Sequence, residues 1–329
     1  MAVPLFMYLA LHNTHAPLEA PWPYVAPFAA QYPDDVKRRA TFCGMLSYVD
    51  ETVANVTAAL QRRQMWANTL FVWTNDNGSP IFVGGSNHPL RGGKGSNWEG
   101  GTRVPAFVTG GVLPAAMAGK TSNGLIHICD WSATFLELAG LPPDAGEPHA
   151  VAPSDSISAW PWLSGRAATS ARAELVYDHN MFELAQGAAK PCLVLNYSGE
   201  ARCARGALQR DGWKLVVGPE AQASWFGWFS PNISNPVNRT SPSVTAQACF
   251  PDAPCLFNLN DSMTEHDDVS AAHPDVVAAL LHRFRELAGQ YHPPRKDPPL
   301  DLGGLLAAVD ANGGFVGPWM REPIEAWPE

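Results

Sequence analysis

LFVWTNDNGSPIFVGGSNHPLRGGKGSNWEGGTR, residues 70–103, is the stretch from which the rest of this chain is read. Residues 70–74 are apolar and β-branched or aromatic, the pattern of a buried strand. The strand ends in an acid and an amide, Asp76 and Asn77. A glycine-rich loop then presents Lys94 within Gly92-Gly93-Lys94-Gly95 and closes on Glu99-Gly100-Gly101. A carboxylate beside an amide carbonyl offers hard oxygen donors that suit Ca²⁺ or Mg²⁺. Glycines let the backbone approach an anion, and a lysine there is a compact positive charge. The pattern therefore suggests a metal with a small anion. Ordinary alternatives stand beside it: Asn-Gly is a common turn pair, and a loop lysine is usually a surface charge. The phosphate-loop spacing G-x-x-x-x-G-K-[ST] is absent. Glu99 and Arg103 are assigned to organising the loop through hydrogen bonds and an ion pair. His88 and Arg91, just before Lys94, are candidate substrate contacts.

Upstream, residues 3–11 form a continuous apolar run, read as a strand buried on both faces. His12 and His15 follow it. His12 takes a structural reading. His15 is either a proton donor or anion contact at a strand end, or a hydrogen-bonded loop histidine. After a proline-rich connection, residues 36–66 carry Phe42, Met45, Leu46, Val49, Val53, Val56 and Leu60 at helical spacing. Asp50 and Glu51 within that helix read as solvated or ion-paired. Downstream, residues 104–109 form another strand, and Asp130 caps a helix over 131–139 that Gly140 ends. Strand, helix, strand, strand, helix predicts an α/β sheet with helices on both faces. Ligands gather at carboxyl ends of strands in such sheets, which would bring His15 and Asp76 to one rim.

Residues 141–173 are rich in Pro, Ala, Ser and Gly and read as a linker. Beyond them, residues 174–177, 206–209, 213–217 and 255–259 are short antiparallel strand candidates, and 276–291 has helical spacing. The tail from Pro293 is expected to wrap the surface. The division predicted is an α/β part at 1–165 and a small α+β part with an extended tail at 166–329.

The chain has 329 residues, 46% hydrophobic, enough for a substantial core. A formal net charge of −9 with scattered basic residues excludes a nucleic-acid surface. No run approaches the roughly 20 apolar residues of a membrane span. There are six cysteines and no C-x-x-C pair. The short spacings suggest disulfides Cys192–Cys203 and Cys249–Cys255. Asn55, Asn196, Asn232, Asn238 and Asn260 begin N-x-S/T glycosylation triplets, which together with the cysteines favour the secretory pathway. The opening MAVPLFMYLALHNTHAP lacks the charge and cleavage site of a signal peptide, so the chain reads as truncated at its N-terminus. Neither G-x-S-x-G nor a local Cys–His pairing stands out.

The ordered set FMYLALHNTHAPLEAP, MLSYVDETVANVTAALQ, TLFVWTNDNG, PLRGGKGSNWEGGTRVPAF and LIHICDW resembles the sulfatase family of the alkaline-phosphatase-like superfamily. WPWLSG, RDGWKLVVG, CLFNLNDSMTEHDDVS and GFVGPWM extend the resemblance over nearly the whole chain, closest to the arylsulfatase B (N-acetylgalactosamine-4-sulfatase) type. The resemblance implies an alkaline-phosphatase-like mixed sheet with helices on both faces, incomplete here, plus a small C-terminal antiparallel sheet with one helix. It implies Asp76 and Asn77 as ligands of one Ca²⁺, Lys94 as the lysine on the sulfate and its bridging oxygen, and His15 as the contact near the leaving oxygen. It implies hydrolysis of a sulfated small molecule or glycan through a formylglycine made from the cysteine of C-x-P-x-R, and a lysosomal or extracellular location.

That nucleophile motif, a pair of aspartate ligands, and a further lysine and histidine expected upstream are not in this sequence. The nearest match, Cys249-Phe250-Pro251-Asp252-Ala253, lacks the arginine and reads as a disulfide cysteine. The chain is thus expected to hold about half of a sulfatase site, to leave a sheet edge unpaired, and to be inactive alone. The alternatives are an inactive remnant that binds sulfated glycans, and a two-zinc phosphatase or phosphodiesterase of the same superfamily. Lys94 and the single Asp-Asn pair favour sulfate over the latter.

Overall fold

The computed structural model describes residues 4–80, 82–142, 155–183, 193–197, 200–220, 223, 247–250, 252–290, 302–311 and 313–314. Two compact units are distinguished, Met1–Gln290 and Tyr291–Glu329.

The first unit begins with helices. Helix α1 (Trp22–Gln31) packs on α2 (Thr41–Arg62), with Gly44 of α2 seated against Tyr24 and Val25. The expected helix over 36–66 is thus divided: a π turn at Val36–Ala40 leads into α2, and a 3₁₀ turn at Trp66–Asn68 follows it. Strand β1 (Phe71–Thr74) comes next, then the short helix α3 (Glu99–Thr102) and β2 (Ala106–Thr109). β1 and β2 pair antiparallel, Phe71 opposite Thr109 and Thr74 opposite Ala106. Phe107 stacks between Phe71 and Trp73 on one face.

Residues 4–11 correct the sequence reading. They form no strand, and residues 4–10 are exposed, Tyr8 at 85%. Among the described residues no strand lies alongside to complete a ladder. Apolar composition favours burial but does not itself supply a pairing edge. Phe6 still finds one ring, Phe135, in an edge contact at 5.6 Å.

Helix α4 (Asp130–Leu138) precedes α5 (Trp160–Leu163). Asp130 opens α4 but does not cap it. Its carboxylate accepts from the backbone of His127 and Ile157 and from Arg172 instead. The segment read as a linker is therefore fastened to α4 over its described part, with Ser156 Oγ donating to Cys129 O and accepting from Ala133 N.

The sheet that follows is antiparallel throughout. It comprises β3 (Glu174–Glu183), β4 (Leu193–Tyr197), β5 (Glu200–Arg210), β6 (Trp213–Glu220), β7 (Gln247–Cys249) and β8 (Cys255–Asn258). The order is β3-β5-β6-β7, with β4 also on β5 and β8 also on β6. Helix α6 (Pro274–Ala288) covers one face. Strand alternation sorts the side chains: Leu208, Leu215, Val217 and Leu256 meet Leu280 and Phe284 of α6. The residues between them, Ala207, Val216, Cys255 and Phe257, face the other way and enclose Trp98. The central sheet thus uses both faces, one on a helix and one on the glycine loop. In the second unit, residues expected only to wrap the surface include a helix, α7 (Leu302–Ala311).

Candidate functional site

The turn after β1 and the loop before α3 are laced together through their backbones. Gly78 N donates to Gly101 O at 2.9 Å, and Lys94 N donates to Ser79 O at 3.4 Å. Asn87 bridges the same two strands of chain, accepting from Ser79 N at 2.9 Å and donating to Ser79 O at 2.6 Å and Gly92 O at 2.9 Å. Glycine is required where the chains touch. A Cβ on Gly78 would fall 1.7 Å from Gly100 O, and Gly92 adopts φ +72°. This lacing brings the Asp76-Asn77 turn to the loop that carries Lys94, joining residues that lie 18 apart in sequence.

Asp76 is exposed and Asn77 half-buried. Asp76 Oδ1 accepts from the next backbone N–H, that of Asn77, at 2.8 Å. The Asn77 amide nitrogen donates to Gly78 O at 3.0 Å, which directs its amide oxygen elsewhere as an acceptor. The pair fits one side of a hard-cation shell, but Ca²⁺ takes six to eight oxygens. Among the described residues, no group of three or more His, Cys, Asp or Glu gathers as a metal site. Two donors alone are too few for such a shell.

Lys94 is half-buried on the loop. His15 is exposed and held by its own turn: its backbone N–H donates to His12 O, and its Nδ1 lies 2.8 Å from Ala16 O. Against a carbonyl, Nδ1 is the protonated nitrogen, and Nε2 is left to act toward solvent. The neighbouring Asn13 donates to Met45 O, tying this segment to α2.

Arg91 is not placed toward a ligand. It is buried, with Nε on Ala223 O at 2.9 Å and its guanidinium 3.8 Å above the Trp98 ring. Burial pushes its pKa down to about 10, opposed by the charges of Glu265 and Asp268. Glu99 pairs with Arg103 at 3.5 Å, as the loop-organising assignment expects. Its stronger partner was not foreseen: Lys214 of β6 reaches Glu99 at 2.8 Å and Glu265 at 2.9 Å. Glu265 also accepts from Glu99 N at 2.7 Å, and Glu220 accepts twice from Asn97. Tyr177 adds its ring 4.7 Å from the Lys214 ammonium. Burial acts to lower the Lys214 pKa, but the Glu265 and Glu99 carboxylates outweigh it and hold the ammonium above its ordinary range. A lysine inside the apolar run of β6 was the available sequence signal.

A second unforeseen contact sets His127 Nδ1 3.0 Å from Cys129 Sγ. Burial raises the thiol pKa and lowers the imidazole's, so neither partner is driven to its charged form. This is not an activated thiolate.

Cys249 and Cys255 are joined by a disulfide, so Cys249 is not a nucleophile here. Cys192, Asn232 and Asn238 lie outside the described residues, and only the strand positions of Cys203 and Asn196 are described. Asn55 on α2 and Asn260 are exposed. No helix among the described residues is long and apolar enough to cross a membrane.

Residues 2–141 match the family described as Sulfatase. The chain is 31% identical to arylsulfatase J of Mus musculus over 327 residues, covering 97% of this chain and 50% of that protein. It is 33% identical to N-acetylgalactosamine-6-sulfatase of Homo sapiens over 146 residues, 43% of this chain and 26% of that one. The fold is similar to that of Ps i-CgsB solved in complex with k-i-k-neocarrahexaose, with a TM-score of 0.62 at 22% identity, covering 91% of this chain and 53% of that one. The chain thus spans about half the length, or less, of these proteins.

Proposed function

We propose that this chain, which belongs to the sulfatase family, supplies the lysine and calcium half of a site that hydrolyses sulfate esters of glycans. One observation carries the reading: the turn bearing Asp76 and Asn77 is laced to the loop bearing Lys94. In this reading the oxygen donors of one backbone segment and the lysine of the other serve one anion across the glycine-built contact.

In this reading Lys94 pairs with the sulfate oxygens and lowers the cost of charge on the bridging oxygen. Asp76 and Asn77 would hold Ca²⁺ through their side-chain oxygens, together with ligands from outside the described residues. A bound Ca²⁺ supplies Lewis-acid stabilisation of charge on the sulfate. His15 would act as the imidazolium: with Nδ1–H held by Ala16 O, it would give its second proton, on Nε2, to the departing oxygen and be left as the neutral Nδ1–H imidazole. The formylglycine nucleophile would have to be supplied by a C-x-P-x-R segment, a motif that these 329 residues do not contain; Cys249, the nearest match, is held in a disulfide. Support for a glycan substrate comes from the hexaose-bound Ps i-CgsB and from the hexosamine named in a relative. The arylsulfatase B branch and galactosamine sulfate belong to the proposal on the residues quoted above. The disulfide supports a lysosomal or extracellular setting.

The disulfide-bonded Cys249 also favours a second reading, an inactive sulfatase-like chain that binds sulfated glycans without turnover. Turnover of a chromogenic aryl sulfate separates the two. The 329 residues alone are expected to give none. When they are supplied with a polypeptide bearing C-x-P-x-R, the enzyme reading expects Lys94-dependent turnover and the binding-only reading expects none. Turnover by the isolated chain would contradict both.

A further inference from the structure

We infer that Lys214 is a positioning residue for Lys94, acting through a buried charge triad that fastens the glycine loop to the central sheet. The inference deepens the functional reading of Lys94 and rests on it for its importance, while its geometry stands independently.

The loop from Arg91 to Gly101 meets the sheet side at three polar points as well as through Trp98. Glu99 meets Lys214 at 2.8 Å, and Lys214 meets Glu265 at 2.9 Å. Asn97 donates to both Glu220 oxygens, from N at 3.0 Å and from Nδ2 at 2.9 Å. Arg91 donates to Ala223 O and, at 3.4 Å, to Glu265 O. Every side chain here is buried, and the Lys214 side chain is 0% exposed. Lys94 lies between the two fastened ends, flanked by Gly92 at φ +72° and Gly95 at φ +85°.

The location explains why ions rather than methyl groups are used. Trp98 already gives the loop apolar anchorage against Phe257, with ring centroids at 5.7 Å. Apolar contact is non-directional and would tolerate sliding or rotation of a glycine-rich loop. Two carboxylates sharing one ammonium accept only a narrow geometry, and a displaced partner leaves an uncompensated buried charge. The triad therefore sets the register of the loop. It does so from β6, where alternation turns Lys214 toward Trp98 while Trp213 and Leu215 turn toward α6.

The test compares Lys214→Met, Lys214→Arg and Glu99→Gln with the unmodified full chain. Competitive acetylation reads the reactivity of each lysine amine, and hydrogen exchange reads local protection. Lys214→Met and Glu99→Gln are expected to raise Lys94 acetylation at least fivefold and exchange over residues 91–101 at least tenfold. Lys120, which is exposed, and the amides of α6 should keep their rates. Lys214→Arg, which keeps the charge, should restore most of the Lys94 value. Unchanged Lys94 reactivity in folded Lys214→Met overturns the inference. So does uniform loss of protection in both Lys214→Met and Glu99→Gln, because the triad would then be a general core element. Loss of function in Lys94→Ala is a separate result: its absence would remove Lys94 from the site and leave the reactivity test standing.

Discussion

Lys214 Nζ and Glu99 Oε1 lie 2.8 Å apart, buried, and 115 residues apart in sequence. Glu99 belongs to the loop that presents Lys94, whereas Lys214 belongs to a strand of the central sheet. The sheet is thus more than an appendage: its face opposite α6 is shaped around Trp98 and closed by this ion pair. Replacing one member of a buried pair costs about 3–5 kcal/mol, because the remaining charge is stranded.

The loop's apolar anchor should be as consequential as its ionic one. Trp98 is fully buried among Ala207, Val216, Phe257 and Leu259. Trp98→Ala is expected to destabilise the protein by about 3–5 kcal/mol, read as a lower urea midpoint. A change below about 1 kcal/mol would mean that the loop collapses freely into the vacated space.

Gly78→Ala tests the lacing itself. The new methyl group would sit 1.7 Å from Gly100 O, a backbone atom that cannot rotate away. Overpacking of this kind costs about 1–3 kcal/mol. Hydrogen exchange should rise at Gly78, whose N–H is the donor of the bond to Gly101 O. Unaltered exchange at Gly78 would show that the turn and loop are held by something else.

Acid should weaken the α4 region through Asp130. Burial alone would raise its pKa, but hydrogen bonds from Arg172, Ile157 and His127 outweigh burial and hold it below the ordinary carboxyl value. A depressed native pKa gives stability that is complete above the unfolded value near 3.8 and is lost as pH falls through the native value. Melting curves from about pH 5 to pH 2 should therefore show a stability loss that Asp130→Asn lacks. At neutral pH that variant should already be less stable by about 3–5 kcal/mol, with the Arg172 charge left without its carboxylate partner. Parallel pH curves for both proteins would contradict the assignment.

Calcium should stabilise the protein through Asp76 and Asn77. At roughly five times Kd a ligand bound only to the native state adds about 1 kcal/mol. The melting midpoint of the unmodified chain is expected to rise with Ca²⁺, and that of Asp76→Ala is not. An equal rise in both would place the ion elsewhere.

Much of the fold was legible because its signals are periodic. The helical spacing of Phe42 to Leu60 and of Val276 to Leu287 corresponds to α2 and α6, and the strand candidate at 213–217 corresponds to β6. Residues 4–11 were misread because an apolar run states a preference for burial without naming a pairing edge. The lacing of Gly78 to Gly101 was invisible, since backbone-to-backbone contact leaves only glycines as its trace. Lys214 was overlooked for a related reason. Its partners Glu99 and Glu265 lie 115 and 51 residues away, so only the oddity of a lysine between Trp213 and Leu215 marked it.

The central claim is that Lys94, beside Asp76 and Asn77, receives a sulfate group. Its most direct measurement is an NMR titration of the lysine amines with inorganic sulfate in the presence of Ca²⁺, with Lys94 identified by its loss in Lys94→Arg. The account predicts a saturable shift of Lys94 that is weakened at least tenfold in Asp76→Ala, while Lys120 moves only with ionic strength. A Lys94 response no larger than that of Lys120, or one indifferent to Asp76→Ala, would contradict it.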